Sequence, residues 1–201
     1  MIFDFDNLSS NNRYHLITQT VLPRPIAWIL TQNENQTYNV APFSYFTALC
    51  SDPALLIVSI GNKSANTMKD TKHNLVKNKE CILHIPSADL AEQVNQSAEN
   101  LEYGESELEQ LGLELVTYTD SLPRIKNAQV AMHCQLYDIH QLSASQAACY
   151  LEVQSLYIND DLVTQSENKT IIDSQAFNPL SRLGGNDYNI LGQTLTIKRP
   201  T

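Results

Sequence analysis

The sequence predicts a mainly β fold, an antiparallel barrel with helical additions, and two observations carry that prediction. Apolar runs of strand length recur along the chain, several of them alternating with period two. The few helical patterns never settle into strand–helix–strand repeats, which disfavours a parallel sheet. At 201 residues, with no repeat, low-complexity tract or linker, the chain reads as a single domain over residues 1–201.

The elements follow in order. PIAWILTQ, Pro25 to Gln32, is apolar and runs through the polar turn NENQ into TYNVAP, a hairpin pattern. ALLIVSIG, Ala54 to Gly61, is short and rich in β-branched residues, as buried strands are. KDTKHNLVKN, Lys69 to Asn78, reads as a helix that opens at the capping pair Asp70–Thr71 and stops before the strand ECILHI, Glu80 to Ile85. SADLAEQVNQSA reads as a helix capped by Ser87, with Asp89 in its first turn and Leu90 and Val94 on one face. SELEQLG, Ser106 to Gly112, reads as a short helix closed by its glycine.

Beyond it, Val130, Met132, Cys134 and Leu136 alternate with more polar neighbours, and Cys149, Leu151 and Val153 do the same. The polar connection QLSASQA between these two long strands predicts an antiparallel pair. QTLTIKR, near the end, reads as a shorter alternating strand.

Composition and charge narrow the function. Hydrophobic residues make up 42% and charged residues 17%, an ordinary globular balance. A formal charge of -9 argues against nucleic acid or an anionic membrane as partner, because both require clustered Lys and Arg. An anionic ligand would therefore need a local basic site. The start, MIFDFDNLSS, lacks the pattern of a signal peptide, and no apolar run approaches the roughly 18 residues of a membrane span. Of the four cysteines, Cys50, Cys81, Cys134 and Cys149, three lie in apolar strand-like runs, and none forms a CxxC pair. Buried free thiols and a cytoplasmic setting are expected.

Several chemistries find no support. The five histidines form no HxxxH or HxH pair, so no metal site is expected, and His84 and His133 read as satisfied strand histidines. GxSxG, GxGxxG and GxxxxGK[ST] are all absent. Three segments remain. In LPRPIAW the prolines flank Arg24 and hold the backbone extended. Arg24 is then either an ordinary arginine at a strand entry or a held guanidinium able to grip a phosphate.

In SANTMKDTKHN, residues Lys69, Asp70 and Thr71 fall where a loop enters a helix. An ammonium, a hydroxyl and free N–H groups there make an anion site, with Asp70 placed to cap the helix or orient Lys69; a capped, solvated helix start is the plainer reading. The third segment, NVAPFSYFTA, is uncharged from Asn39 to Ala48 and holds Pro42 where a core strand would avoid it. Asn39, Ala41, Pro42, Ser44, Tyr45 and Phe46 combine small residues, backbone groups and aromatic flanks suited to a flat ring with polar edges. Together the segments suggest a phosphorylated planar cofactor, and FMN fits best.

The blocks PRPIAW, N-x-A-P-F-S-Y-F, S-D-P-A-L-L-I-V-S-I-G and K-D-T-x-x-N, in that order over roughly residues 20 to 85, resemble the flavin reductase-like, FMN-binding split-barrel family, which includes flavoredoxin-like proteins. NPLSRLGGNDYNILG, Asn178 to Gly192, is similar to that family's C-terminal signature. The resemblance implies a six-stranded, Greek-key-related split barrel acting as a homodimer, with FMN at the subunit interface. It implies phosphate contacts from Arg24, Lys69 and Thr71, a ring-facing segment from Asn39 to Phe46, and polar contacts from Ser59 and Asn74. Arg182, Gly184, Gly185 and Tyr188 would border the pocket or the partner subunit. The implied chemistry is two-electron flavin reduction by NADH or NADPH with reoxidation by an acceptor, which needs no catalytic side chain of the protein's own. An FMN-binding electron carrier or sensor, and a pyridoxamine-phosphate oxidase-like flavoenzyme, are the alternatives.

Overall fold

The computed structural model describes residues 1–64, 67–166 and 169–200. The chain opens with helix α1 (Ser10–Thr20), followed by strands β1 (Arg24–Pro25), β2 (Ala27–Gln32), β3 (Tyr38–Phe43), β4 (Phe46–Ser51), β5 (Ala54–Ser64) and β6 (Thr67–Met68). Helix α2 (Asp70–Asn78), strand β7 (Glu80–Ile85) and helix α3 (Ala91–Gln96) come next. Two short strands, β8 (Leu115–Thr117) and β9 (Pro123–Ile125), lead to the long hairpin β10 (Val130–Gln141) and β11 (Gln146–Ile158). The chain ends with β12 (Val163–Ser166), β13 (Lys169–Ile172), α4 (Ser174–Phe177), β14 (Ser181–Arg182) and β15 (Tyr188–Asn189).

The main sheet is antiparallel and ordered β3-β2-β7-β10-β11-β5-β4, with β6 paired to β5 beside that path. It therefore holds eight strands rather than six, because the edge strand β4 and the two-residue β6 join the long ones. β3 and β4 occupy opposite ends of this order, yet only Ser44 and Tyr45 separate them in sequence. A two-residue link cannot span a flat seven-strand path at about 4.8 Å per strand. The sheet must curl until its ends meet, and the Ser59 N–H donates to the Tyr45 carbonyl at 2.8 Å where they do. This curled sheet is a split barrel.

Both faces of β2 are buried, so its run is apolar without alternation. Ala27 and Ile29 join Val58, Leu83, Cys134 and Cys149 in one core cluster, which Leu75 of α2 plugs. Trp28 and Leu30 face a second cluster with Val40, Ile82, Val94 and Ile125, covered by α3 and the segment after it. The expected hairpins stand in register: Ile29 opposite Ala41, and Leu136 opposite Leu151. Cys81, Cys134 and Cys149 are buried free thiols, while Cys50 is exposed.

Four local expectations fail. Asp70 and Thr71 do not cap α2: Lys69 holds the cap position, and no side chain among the described residues bonds to the free N–H groups there. Ser87 precedes a short 3-10 turn, Ala88–Leu90, rather than a continuous helix, and its hydroxyl donates to Asp89. Residues 106 to 112 make a single turn, closed as expected by Gly112 at φ +63, because Leu108 and Leu113 are drawn into the core on either side of it. QTLTIKR forms no strand pairing among the described residues, and Leu195 and Ile197 stand in solvent. Alternation marks strand potential, but a strand also needs a neighbour.

Candidate functional site

A groove runs along the free edge of β3. Its first part lies between Asn39, Ala41 and Pro42 and the wall formed by Ser97–Leu101 and Glu107, with Lys69 and Thr71 at the end where α2 begins. Its second part is lined by Pro42, Phe43, Ser44, Ala98, Arg182 and Tyr188. Pro42 and Ala98 belong to both, so the two parts are continuous.

The α2 end is built to receive an anion. Lys69 has extended backbone angles and supplies the first helical acceptor to His73 N–H, leaving the next N–H groups uncapped. Its ammonium is half-buried, lies 5.8 Å from the Phe43 ring centre, and forms no ion pair among the described residues. Burial first, and then the neighbouring Lys63, hold its pKa below the usual lysine range, while Asp70 opposes them. Asp70 does not orient Lys69. Its carboxylate pairs with Lys63 Nζ at 2.8 Å, and the same ammonium donates to the Leu101 carbonyl at 2.8 Å. That contact ties the end of β5 and the groove wall to the start of α2.

A buried amide and hydroxyl network fixes α2 against the hairpin. Asn39 Nδ2 donates to Thr71 Oγ1 at 2.9 Å, which leaves the Thr71 hydroxyl proton free for another acceptor. Asn74 donates to Thr31 Oγ1 at 3.0 Å and Asn33 Oδ1 at 2.8 Å, and accepts from the Tyr103 hydroxyl at 3.2 Å. Asn39 and Thr71 line the groove, whereas Asn74 is turned into the network and lines none of it. The Asn74 amide, expected to contact a ligand, is instead engaged here by Thr31, Asn33 and Tyr103, which hold the helix.

The irregular strand has a backbone explanation. In an antiparallel edge strand, alternate residues direct both backbone groups outward. Val40 N–H bonds to Glu107 Oε2 at 3.2 Å, and the Tyr38 carbonyl accepts from Ser106, so the even-numbered residues face out. Pro42 falls in that outward set, where its missing N–H interrupts no bond to β2. The edge consequently presents carbonyl oxygens at Val40 and Pro42, while Asn39 and Ala41 turn their backbone groups to β2.

The remaining expected residues scatter. The Ser44 hydroxyl accepts from Arg24 Nε at 3.4 Å and lines the second part of the groove. Tyr45 is exposed against Tyr14, and Phe46 packs on the barrel core. The Ser59 hydroxyl accepts from Gln146 Nε2 at 2.7 Å and lies outside the groove lining. Arg24 is buried, donating to the carbonyls of Thr18 at 2.5 Å, Val21 at 3.0 Å and Leu183 at 2.8 Å. Those bonds and Ser44 occupy four of its five N–H groups, so the guanidinium chiefly clamps α1 to the C-terminal loop.

Arg182 donates to the carbonyls of Gly185 and Asp187 and lies 4.4 Å over the Tyr188 ring at the groove mouth. Gly184 backs against Gln19, where an added Cβ would collide with the side chain, and Gly185 supplies φ +62 at the turn.

Lys63, Glu107 and the wall Ser97–Leu101 were not singled out as site residues in the sequence. Lys63 stands just before the segment SANTMKDTKHN, six positions ahead of Lys69, a weak but readable signal. Glu107 carries no local signal, because a loop fold places it beside β3. It is 6% exposed, and burial pushes its carboxyl above the usual range; its own backbone N–H and that of Val40 oppose the shift, Asp70 adds to it and Lys63 opposes it.

Comparison with known proteins agrees with this architecture. The profile of the flavin reductase like domain matches residues 19–174. The uncharacterised protein YwrF of Bacillus subtilis (strain 168) is 35% identical over 206 residues, covering 100% of this chain and 99% of that protein. Among solved structures, 2-nitrobenzoate 2-nitroreductase NbaA of Pseudomonas fluorescens is similar at 28% identity and a TM-score of 0.90, covering 100% of this chain and 97% of that one. Nitrilotriacetate monooxygenase component B of Bacillus cereus is similar at 26% identity and a TM-score of 0.89, with 98% of each chain covered. The chain belongs to the flavin reductase-like family, whose split-barrel fold it shares.

Proposed function

We propose that the groove binds FMN and that the protein is an oxidoreductase of the flavin reductase type, taking a hydride from NADH or NADPH and passing electrons to an acceptor. The observation that carries this reading is the uncapped start of α2 with the unpaired, half-buried ammonium of Lys69 beside it. A cation kept from water without a carboxylate partner is costly unless an anion arrives. Thr71 has a hydroxyl proton to donate to that anion, and the first-turn N–H groups point the same way.

Along β3, Ala41 and Pro42 offer close approach to a flat ring, and the outward carbonyls of Val40 and Pro42 can accept from a ring N–H. Phe43 and Tyr188 supply aromatic contact at the far end, where Arg182 keeps three N–H groups uncommitted. Arg24, with a single uncommitted N–H, acts on the cofactor through Ser44 and the C-terminal loop rather than as the main phosphate grip. When bound, the flavin supplies the hydride-accepting chemistry, so the chain's task is to bind and orient it. Similarity to a nitroreductase and a monooxygenase component supports an oxidoreductase role.

The test is an absorbance spectrum of the protein mixed with FMN and desalted, before and after NADH and NADPH. Retained flavin bands that bleach with a nicotinamide donor support the proposal. A colourless protein that also consumes no donor in the presence of free FMN rejects it, and retained flavin without donor consumption points to an electron carrier.

A homodimer belongs to the same proposal. The edge strand β4 exposes Leu49, α1 exposes Tyr14 and Ile17, and the C-terminal segment exposes Leu195 and Ile197. Exposed aliphatic and aromatic side chains on these elements suit a partner surface. Sedimentation at the monomer mass of 22.6 kDa would reject it.

A further inference from the structure

Glu107 is a buried carboxyl in the groove to which the proposed cofactor contacts give no part. Its Oε2 accepts the Val40 N–H at 3.2 Å, and it pairs with no cation among the described residues. The charged groups around it come from three elements: Lys63 at the end of β5, Lys69 and Asp70 at the start of α2, and Glu99 in the segment after α3. β3, on its fourth side, contributes Asn39, Val40 and Ala41 and no charge. Lys63 and Asp70 satisfy each other, and Glu99 is exposed to solvent. The charges left unpaired inside the cleft are the Lys69 ammonium and the Glu107 carboxylate, which balance while the cleft is empty.

A phosphate dianion arriving beside Lys69 upsets that balance by two negative charges. The least costly response in a partly desolvated cleft is to neutralise the carboxylate that is most buried and lacks a cation. We infer that Glu107 takes up one proton from solvent when a phosphate monoester dianion enters beside Lys69, so that binding of FMN is proton-linked and binding of riboflavin is not. Burial already favours the protonated acid over the opposing pull of its own and the Val40 backbone N–H groups, and the phosphate acts in the same sense as Asp70. As a neutral acid, Glu107 still accepts the Val40 N–H, so the edge of β3 keeps its geometry. Since the bound state holds the extra proton, FMN affinity falls as pH rises, by up to about tenfold per pH unit between the pKa of Glu107 in the free and bound forms.

This inference rests on the FMN reading above, and titration calorimetry separates the two. At about pH 7.5 the free phosphate is already dianionic, so any proton taken up comes to the protein. Heats of FMN binding measured in two buffers of different ionisation enthalpy should differ by the equivalent of up to about one proton per FMN. Riboflavin should show no such difference, and FMN binding to the Glu107→Gln variant should lose it. Buffer-independent heat for FMN would overturn the inference, as would equal uptake with riboflavin, an outcome read on the unmodified protein whatever the variant's folding. Uptake that persists in Glu107→Gln would also overturn it by placing the proton elsewhere. No heat with FMN at all would remove the cofactor reading, and this one with it.

Discussion

His84 lies fully buried between two backbone partners, its Nδ1 3.0 Å from the Trp28 carbonyl and its Nε2 accepting the Ile125 N–H at 3.1 Å. One nitrogen must donate and the other accept, so the ring is neutral. Burial lowers its pKa to about 4; the Trp28 carbonyl opposes that shift and Arg124 adds to it. In the unfolded chain the value returns to about 6.5. The unfolded state therefore takes the proton first as pH falls. The contribution of His84 is complete above about pH 6.5 and is lost on the way down to about pH 4, roughly 3 kcal/mol in all. Urea unfolding at about pH 7 and about pH 5 should show the loss, and His84→Gln should flatten the difference. An unchanged slope in the variant would assign it to other groups. That His84 is a satisfied strand histidine was legible from its apolar neighbours, but its two partners were not, since both come from distant strands.

The element that sets the site is α2, and the polar network beneath it fixes its start against the hairpin. Removing the Asn74 amide takes a partner from Asn33 and Tyr103 and leaves Thr31 only its 3.4 Å bond from Asn39. Asn74→Ala should cost about 2 kcal/mol in chemical unfolding and weaken FMN binding as well, because the helix start that carries Lys69 loosens. Loss of stability with unchanged FMN affinity would show that the network does not position the site. Among elements, long apolar runs and alternating strands were readable because burial dictates their pattern, so the β2–β3 and β10–β11 hairpins were expected where they stand. The cap of α2 was read one residue late: Asp70 looks like a cap in sequence, but Lys69 holds that position and Lys63 captures the Asp70 carboxylate in three dimensions. The turn at residues 106 to 112 misled for a similar reason, since core packing of Leu108 and Leu113 outweighs local helix preference.

For the whole molecule, the barrel curls because two edge strands adjacent in sequence lie at opposite ends of the sheet, and that curl brings β3, α2 and the segment 97–107 around one groove. The sequence identifies the groove's two lettered ends, N-x-A-P-F-S and K-D-T, but its far wall, with Glu107 and Ala98, depends on how loops cross the barrel. For Arg24 the flanking prolines were visible in the sequence and the carbonyls it clamps were not. The account's central claim is that Lys69 at the start of α2 holds the phosphate of a flavin mononucleotide. Flavin fluorescence titration with FMN and with riboflavin, on the unmodified protein and on Lys69→Met, tests it most directly. The unmodified protein should bind FMN at least about tenfold more tightly than riboflavin, and Lys69→Met should erase most of that preference while leaving riboflavin binding in place. Equal affinity for the two flavins, or a preference that survives Lys69→Met, would contradict it.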